Sequence, residues 1–278
     1  MLSYLHAFHA GNFADVHKHI GLLVAIQLLQ RKPTAIACFD THAGSARYDL
    51  EGDYARKTKE ADAGFQQLWQ CRNGLRNPLW RDIWSVIGVK RTDVRIRHYP
   101  GSPAWLSSLA RSQDRVTAFE LHSSESSRLQ DWARTHKVKV VAGDGFKGLL
   151  AGLPPCEPRL FTLIDPPHEI KEDYPRTAET IQKAWQRCRH GVYLVWYPVL
   201  PEAQYQQMIS RLQAGPVRKI LHSQFVLDTP PPRGMRGSGL LLVNPPWEWA
   251  ETLDALLNEV INSGAIAAKH KLEWVVPE

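Results

Sequence analysis

The segment Asp165-Pro166-Pro167-His168 follows directly on the apolar run LFTLI. Its residue types suit one kind of chemistry. An exocyclic amino group on adenine is a poor nucleophile, because its lone pair is delocalised into the ring. Two acceptors aimed at its two N–H groups pull the nitrogen toward tetrahedral geometry. Asp165 can supply one acceptor and the carbonyl of Pro166 the other, with the rigid Pro-Pro unit setting its direction. His168 then stands where an aromatic side chain would stack on the base, with less surface than Tyr or Phe. Asp165, Pro166 and His168 are therefore the expected catalytic residues. The plain alternative is a strand-ending turn, since Asp-Pro often initiates one. A second version of the pattern, Asn244-Pro245-Pro246-Trp247, also follows an apolar strand. It comes late and opens an expected last helix, so it is assigned a structural or substrate-facing role.

The surrounding chain alternates between helix and strand. Residues 34–39, 116–119, 137–141, 160–164, 191–197 and 239–243 are short apolar runs that read as strands. Helices are expected over 14–30, 124–135, 175–189, 202–214 and 247–263. This alternation argues an α/β fold with a mainly parallel, doubly wound sheet. Ligands of such sheets sit outside the carboxyl ends of the strands. Four strand ends are acidic in chain order: Asp40, Glu120, Asp144 and Asp165. That repetition suggests a ligand rich in hydroxyl and amino donors. Glu120 would accept from ribose hydroxyls, and Asp144 beside Gly145 from an adenine amino group. The turn after the first strand, Asp40 to Arg47, keeps one glycine, Gly44, and so fails the GxGxxG pattern of dinucleotide loops. An adenosine cofactor without phosphate, such as S-adenosylmethionine, needs no richer loop.

About 80 residues separate Asp40 from Glu120, whereas a βαβ step needs only about 30. An insertion over 52–99 is expected, helical over 53–70 and 78–89, dividing a main domain of 1–51 and 100–278. It is basic: residues 72–99 hold seven Lys or Arg against two Asp. If 93–97 form a strand, Arg95 and Arg97 share a face, and a phosphate backbone is the expected partner. Arg233 and Arg236, in the Pro/Gly-rich loop DTPPPRGMRGSG, join them as expected substrate contacts.

Other features narrow the class. The net charge of +6 is compatible with a polyanionic partner. Four scattered cysteines form no CxxC pair, against a disulfide framework or thiolate zinc site. The N-terminal stretch lacks the layout of a signal peptide, and no apolar run is long enough to span a bilayer. A cytoplasmic, monomeric protein without membrane attachment is expected. His6, His9, Asp15, His17 and His19 crowd the N-terminus and suggest a metal-dependent hydrolase as an alternative. Within a helix, however, the rings of His17 and His19 would point apart, so no metal site is assigned.

A carboxylate or amide, two prolines and an aromatic at a strand end is the signature of methyltransferases acting on amino nitrogens. More specifically, MLSYLHAFHAGNFADVHKH, DTHAGSARY, YPGSP (Tyr99 to Pro103), FELH, GDGF, IDPPHE, WYPV, RGMRGSG, NPPW and the terminal VPE together resemble the bacterial 23S ribosomal RNA adenine-N6-methyltransferase family RlmJ. The similarity runs nearly end to end. It implies a Rossmann-like class I methyltransferase domain with a small helical insertion, S-adenosylmethionine as cofactor, and 23S rRNA as partner. It further implies cofactor contacts at His19, His42, Ser102, Glu120, Asp144, Gly145 and Asp165, and a substrate-side role for Tyr4. At 168 the family usually has Tyr. A DNA adenine-N6 methyltransferase would share the motif and its chemistry.

Overall fold

The computed structural model describes residues 5–278, and Tyr4 lies outside them. The first long helix, α1 (Phe13–Gln30), begins where the Asn12 side chain accepts from the backbone N–H groups of Ala14 and Asp15, each at 3.0 Å. This N-cap satisfies two donors that the helix itself leaves open. The helix is buried on nearly every side, its polar residues Asp15, His17, Lys18 and His19 included.

Strand β1 (Ile36–Asp40) lies inside an eight-stranded sheet, between β4 (Arg115–Glu120) and β6 (Arg159–Ile164). Outside these run β5 (Val138–Ala142) and β7 (Val192–Val199), with β8 (Ile220–Leu227), β9 (Gly237–Val243) and β10 (Ala268–Val276) beyond. The order is β10-β8-β9-β7-β6-β1-β4-β5. From β5 to β7 every pairing is parallel, while β9 runs antiparallel to both β7 and β8 and β10 antiparallel to β8. Helices α5 (Ser102–Leu109), α6 (Ser123–Ala133), α7 (Gly145–Ala151), α8 (Asp173–Arg187), α9 (Tyr205–Gln213) and α10 (Trp249–Asn262) complete the α/β fold. The expected mainly parallel sheet is present. The chain winds outward from β1 through β4 and β5, then returns to β6 on the other side. The switch point therefore lies between β1 and β6, where Asp40 and Asp165 follow their strands.

Strands β8 and β10 were not expected from the sequence. ILHSQFVL and AKHKLEWVV interleave polar and charged residues with apolar ones, so neither reads as an apolar run. The charges on β10 suit its place at the sheet edge, where they discourage pairing with another chain.

The excursion between β1 and β4 is tied at its neck by β2 (Arg47–Asp49) pairing antiparallel with β3 (His98–Pro100). Beyond the neck lie α2 (Asp53–Thr58), α3 (Phe65–Gln70) and α4 (Leu79–Ile87). The expected helix over 53–70 is broken twice. Lys59 takes a left-handed conformation, and Gly64 packs so closely on the backbone at Gly11 that a Cβ would lie 2.2 Å from its carbonyl oxygen. Phe65, Leu68, Trp69, Trp80 and Ile83 join the same apolar core as α1, so the excursion is built onto the main body. The conditional strand at 93–97 is not formed. The Gln66 side chain takes both backbone groups of Ile96, accepting from its N–H at 3.0 Å and donating to its carbonyl at 2.6 Å. Those groups then have nothing left to offer a neighbouring strand.

Candidate active site

The carboxyl ends of β1, β4, β5 and β6 open into one cavity. Its lining includes His19, His42, Ser102, Glu120, Asp144, Gly145 and Asp165, so all seven expected cofactor contacts converge here. Glu120 is fixed by two backbone donors, Gly44 N–H on Oε2 and His122 N–H on Oε1, each at 2.7 Å. Burial raises its pKa despite those bonds. Asp144 caps α7 by accepting from Lys147 N–H at 3.2 Å, and its other oxygen pairs with Arg176. The Arg176 guanidinium lies 4.6 Å from the ring of Phe146, which meets His42 edge-on at 4.8 Å. Gly145 is dictated by packing, because a Cβ there would lie 1.7 Å from the carbonyl oxygen of Thr41. The turns after β1 and β5 can close on one cavity only because this position is bare.

His19 is buried, stacked on Trp105 at 5.0 Å, with Nδ1 2.5 Å from the Tyr99 hydroxyl. Its Nε2 has no hydrogen-bond partner among the described residues. A buried nitrogen left open on a cavity wall fits a ligand that completes it. The mixture of carboxylates, backbone turns and apolar rings likewise fits an adenosine carrying an amino-acid tail.

Asp165 lines this cavity, and Pro167, two residues on, also borders a second one. Lys18 reaches Asp165 from α1, Nζ to Oδ2 at 2.7 Å, and also holds Asp15 at 2.9 Å. The two carboxylates overcome the effect of burial and push the lysine's pKa up, so it stays charged. Asp165 Oδ1 carries no hydrogen bond among the described residues, leaving one acceptor for a donor from outside. Sequence reasoning missed Lys18, although a lysine three residues after an aspartate in a largely apolar helix is a signal.

The second cavity shares His6, Lys18 and Pro167 with the first and adds His168, Trp196, Arg233 and Met235. His168 differs from its expected posture. It is 7% exposed, with a left-handed backbone, its ring stacked on Tyr174 at 4.4 Å and Nε2 3.1 Å from the carbonyl oxygen of Trp196. Burial pushes its pKa down to about 4, so the ring is neutral at pH 7. Arg233 lines this cavity, whereas Arg236 stands exposed outside its lining. Arg95 and Arg97 line a separate groove with Arg47, His98 and Trp132, and Arg95 is paired with Asp62 at 3.0 Å.

The rings of His17 and His19 point apart, as their spacing in a helix predicts, and the N-terminal histidines each meet a different partner. His6 meets Asp15 and His9 meets Glu60, while His17 faces Ser223 and Ser238 and His19 faces Tyr99.

Comparison with known proteins gives the family. The profile of the family described as "Ribosomal RNA large subunit methyltransferase D, RlmJ" matches residues 33–276. The chain belongs to the RlmJ family. Over their full lengths it is 37% identical to "Ribosomal RNA large subunit methyltransferase J" of Escherichia coli K12 and 36% identical to that of Haemophilus influenzae. A crystal structure of a Legionella pneumophila protein superposes with a TM-score of 0.87 at 32% identity, covering 96% of this chain and 98% of that one. This RlmJ-family chain is thus an S-adenosylmethionine-dependent methyltransferase with a class I fold.

Proposed function

We propose that the protein transfers a methyl group from S-adenosylmethionine to the exocyclic N6 of an adenine in 23S ribosomal RNA. One observation carries this reading: Asp165 and Pro166 line a cavity suited to the cofactor, and Pro167, next in the chain, is shared between it and a second, aromatic-lined cavity able to take a base. Glu120 would hold the ribose, and Asp144 with Gly145 the adenine edge of the cofactor. His19, His42 and Ser102 border the remainder. When bound, the cofactor would supply an electrophilic methyl group on a sulfonium, whose S–CH3 bond breaks as the C–N bond forms and leaves S-adenosylhomocysteine.

Asp165 Oδ1 and the Pro166 carbonyl accept from the two N–H groups of the target amine and turn its lone pair toward the methyl. Much of the acceleration is positional. Lys18 holds Oδ2, so the free oxygen is aimed. A weak base suffices, because N6 becomes strongly acidic as the new C–N bond forms. The departing proton passes to Asp165. His168 and Trp196 provide the aromatic walls for the base, which must be unpaired or flipped to enter. Arg233, at the mouth, and Arg95, Arg97 and Arg236, on the outer surface, would hold phosphates of the flanking RNA. Tyr4, outside the described residues, is assigned to the substrate side by resemblance.

The test is methyl transfer from labelled S-adenosylmethionine to protein-free 23S rRNA and to duplex DNA, with mass mapping of the product. Formation of N6-methyladenosine at one rRNA position, lost in Asp165→Ala while calorimetric cofactor binding persists, is expected. Transfer to DNA alone, or retained N6 methylation in Asp165→Ala, contradicts the proposal.

A further inference from the structure

Behind the second cavity a row of polar side chains crosses the sheet. Trp196 Nε1–H donates to Ser238 Oγ at 3.0 Å, and Ser238 Oγ lies 2.9 Å from His17 Nδ1. His17 Nε2 lies 2.8 Å from Ser223 Oγ, which lies 2.8 Å from His270 Nε2. His270 Nδ1 ends the row 2.8 Å from Asp254 Oδ1. The row draws on β7, β9, α1, β8, β10 and α10 in turn. Ser223, His270 and Asp254 resemble a hydrolytic triad, but Ser223 is fully buried and no substrate can reach it.

The pattern has one solution. The Asp254 carboxylate only accepts, so His270 carries its proton on Nδ1. Burial lowers the pKa of both imidazoles and keeps them neutral. Nε2 of His270 then accepts from the Ser223 hydroxyl, which must accept from Nε2–H of His17. Nδ1 of His17 accepts from the Ser238 hydroxyl, whose oxygen takes the indole N–H. Every hydroxyl gives once along the row, and every donor points away from Trp196.

We propose that this row positions the indole of Trp196 as the wall against which the target base rests, an inference resting on the second cavity's being the acceptor site. Trp196 lines that cavity beside Pro167 and His168, and Lys18 Nζ lies 5.4 Å from its ring centroid. Its backbone carbonyl anchors His168 as well. A wall needed only for packing could be Phe, with none of the cost of burying two imidazoles and two hydroxyls. Pinning the N–H end fixes the ring plane, which packing alone leaves free to tilt.

The experiment is a double-mutant cycle on methyl transfer to an RNA hairpin containing the target. Ser238→Ala strands the indole N–H and should raise KM for RNA about tenfold, with cofactor affinity by calorimetry unchanged and Ser238→Thr restoring much of the loss. In a Trp196→Phe background, which has no N–H to strand, Ser238→Ala should add nothing. His17→Leu, one link further away, gives the same pattern if Ser238→Ala folds poorly. Additive losses, or an equal loss of cofactor affinity, would mean that the row is only structural and would overturn the proposal. Retained methylation in Asp165→Ala would instead overturn the acceptor-site reading beneath it, so the two failures are distinct.

Discussion

Asp165-Pro166-Pro167-His168 and Asn244-Pro245-Pro246-Trp247 are near-copies, and each follows a buried strand. The fold sends them to opposite rims of the same sheet. β6 is parallel to β1, so its carboxyl end opens on the cofactor cavity. β9 is antiparallel to β7, with Val243 paired to Tyr193, so its carboxyl end lies where β7 begins. There Asn244 takes a left-handed backbone and donates to the carbonyls of Arg189 and Gly191 at 2.8 and 2.7 Å. Trp247 is 85% exposed, whereas His168 is 7% exposed. One turn offers its acceptor to a cavity and buries its aromatic; the other uses its polar head as a clamp and leaves its aromatic in solvent. The motif is thus a local shape, and strand direction decides whether it performs chemistry.

Four perturbations test that contrast. Asp165→Ala should lower kcat about 10³-fold, the scale of a lost acid–base group, while cofactor binding by calorimetry persists. Lys18→Met should follow, costing about 3 kcal/mol in denaturant unfolding because it leaves the buried Asp15 and the half-buried Asp165 without their cation, with at least a tenfold fall in kcat. Stability of Lys18→Met equal to the parent's would remove the lysine from the site. The third concerns pH. The folded pKa of His168, about 4, lies below its unfolded value near 6.5, so the unfolded chain binds a proton first. Stability therefore falls as pH drops from about 6.5 toward 4, by roughly 3 kcal/mol from this ring. His168→Tyr should flatten that slope in calorimetric unfolding and keep kcat within about threefold. A steeper slope, or a collapse of kcat, would give the imidazole a chemical role. Mildest is Asn244→Ala, which loses two hydrogen bonds and a residue tolerant of its backbone, costing about 2 kcal/mol of stability. Its kcat should match the parent's, and a large fall would erase the contrast between the two turns.

Much of the site was legible in the sequence because strand ends announce themselves. A buried apolar run that stops at Asp or Glu locates a side chain to within a residue, so Glu120, Asp144 and Asp165 could be read in order. Lys18 and Trp196 were harder. Each is embedded in an apolar element, and its partners lie 147 and 42 residues away in the chain, at Asp165 and Ser238. The two outer strands β8 and β10 escaped because their alternation of polar and apolar residues suits a buried polar row and an edge, and not an apolar run. Arg95 and Arg97 share a face only if 93–97 form a strand, and the sequence leaves that open. Gln66 took the backbone bonds that a strand there would have used.

By itself the sequence determined the chemistry on offer: an amino-group site after β6, a series of acidic strand ends, and a basic excursion after β1. These follow from residue type and local periodicity, which neighbouring positions carry. Only the tertiary structure decided which of two Pro-Pro turns faces the cofactor, since strand direction depends on pairing between distant segments. It also decided that Lys18 steadies Asp165, and that His168 packs within the wall of the site, because burial and charge pairing exist only once the chain has closed around them.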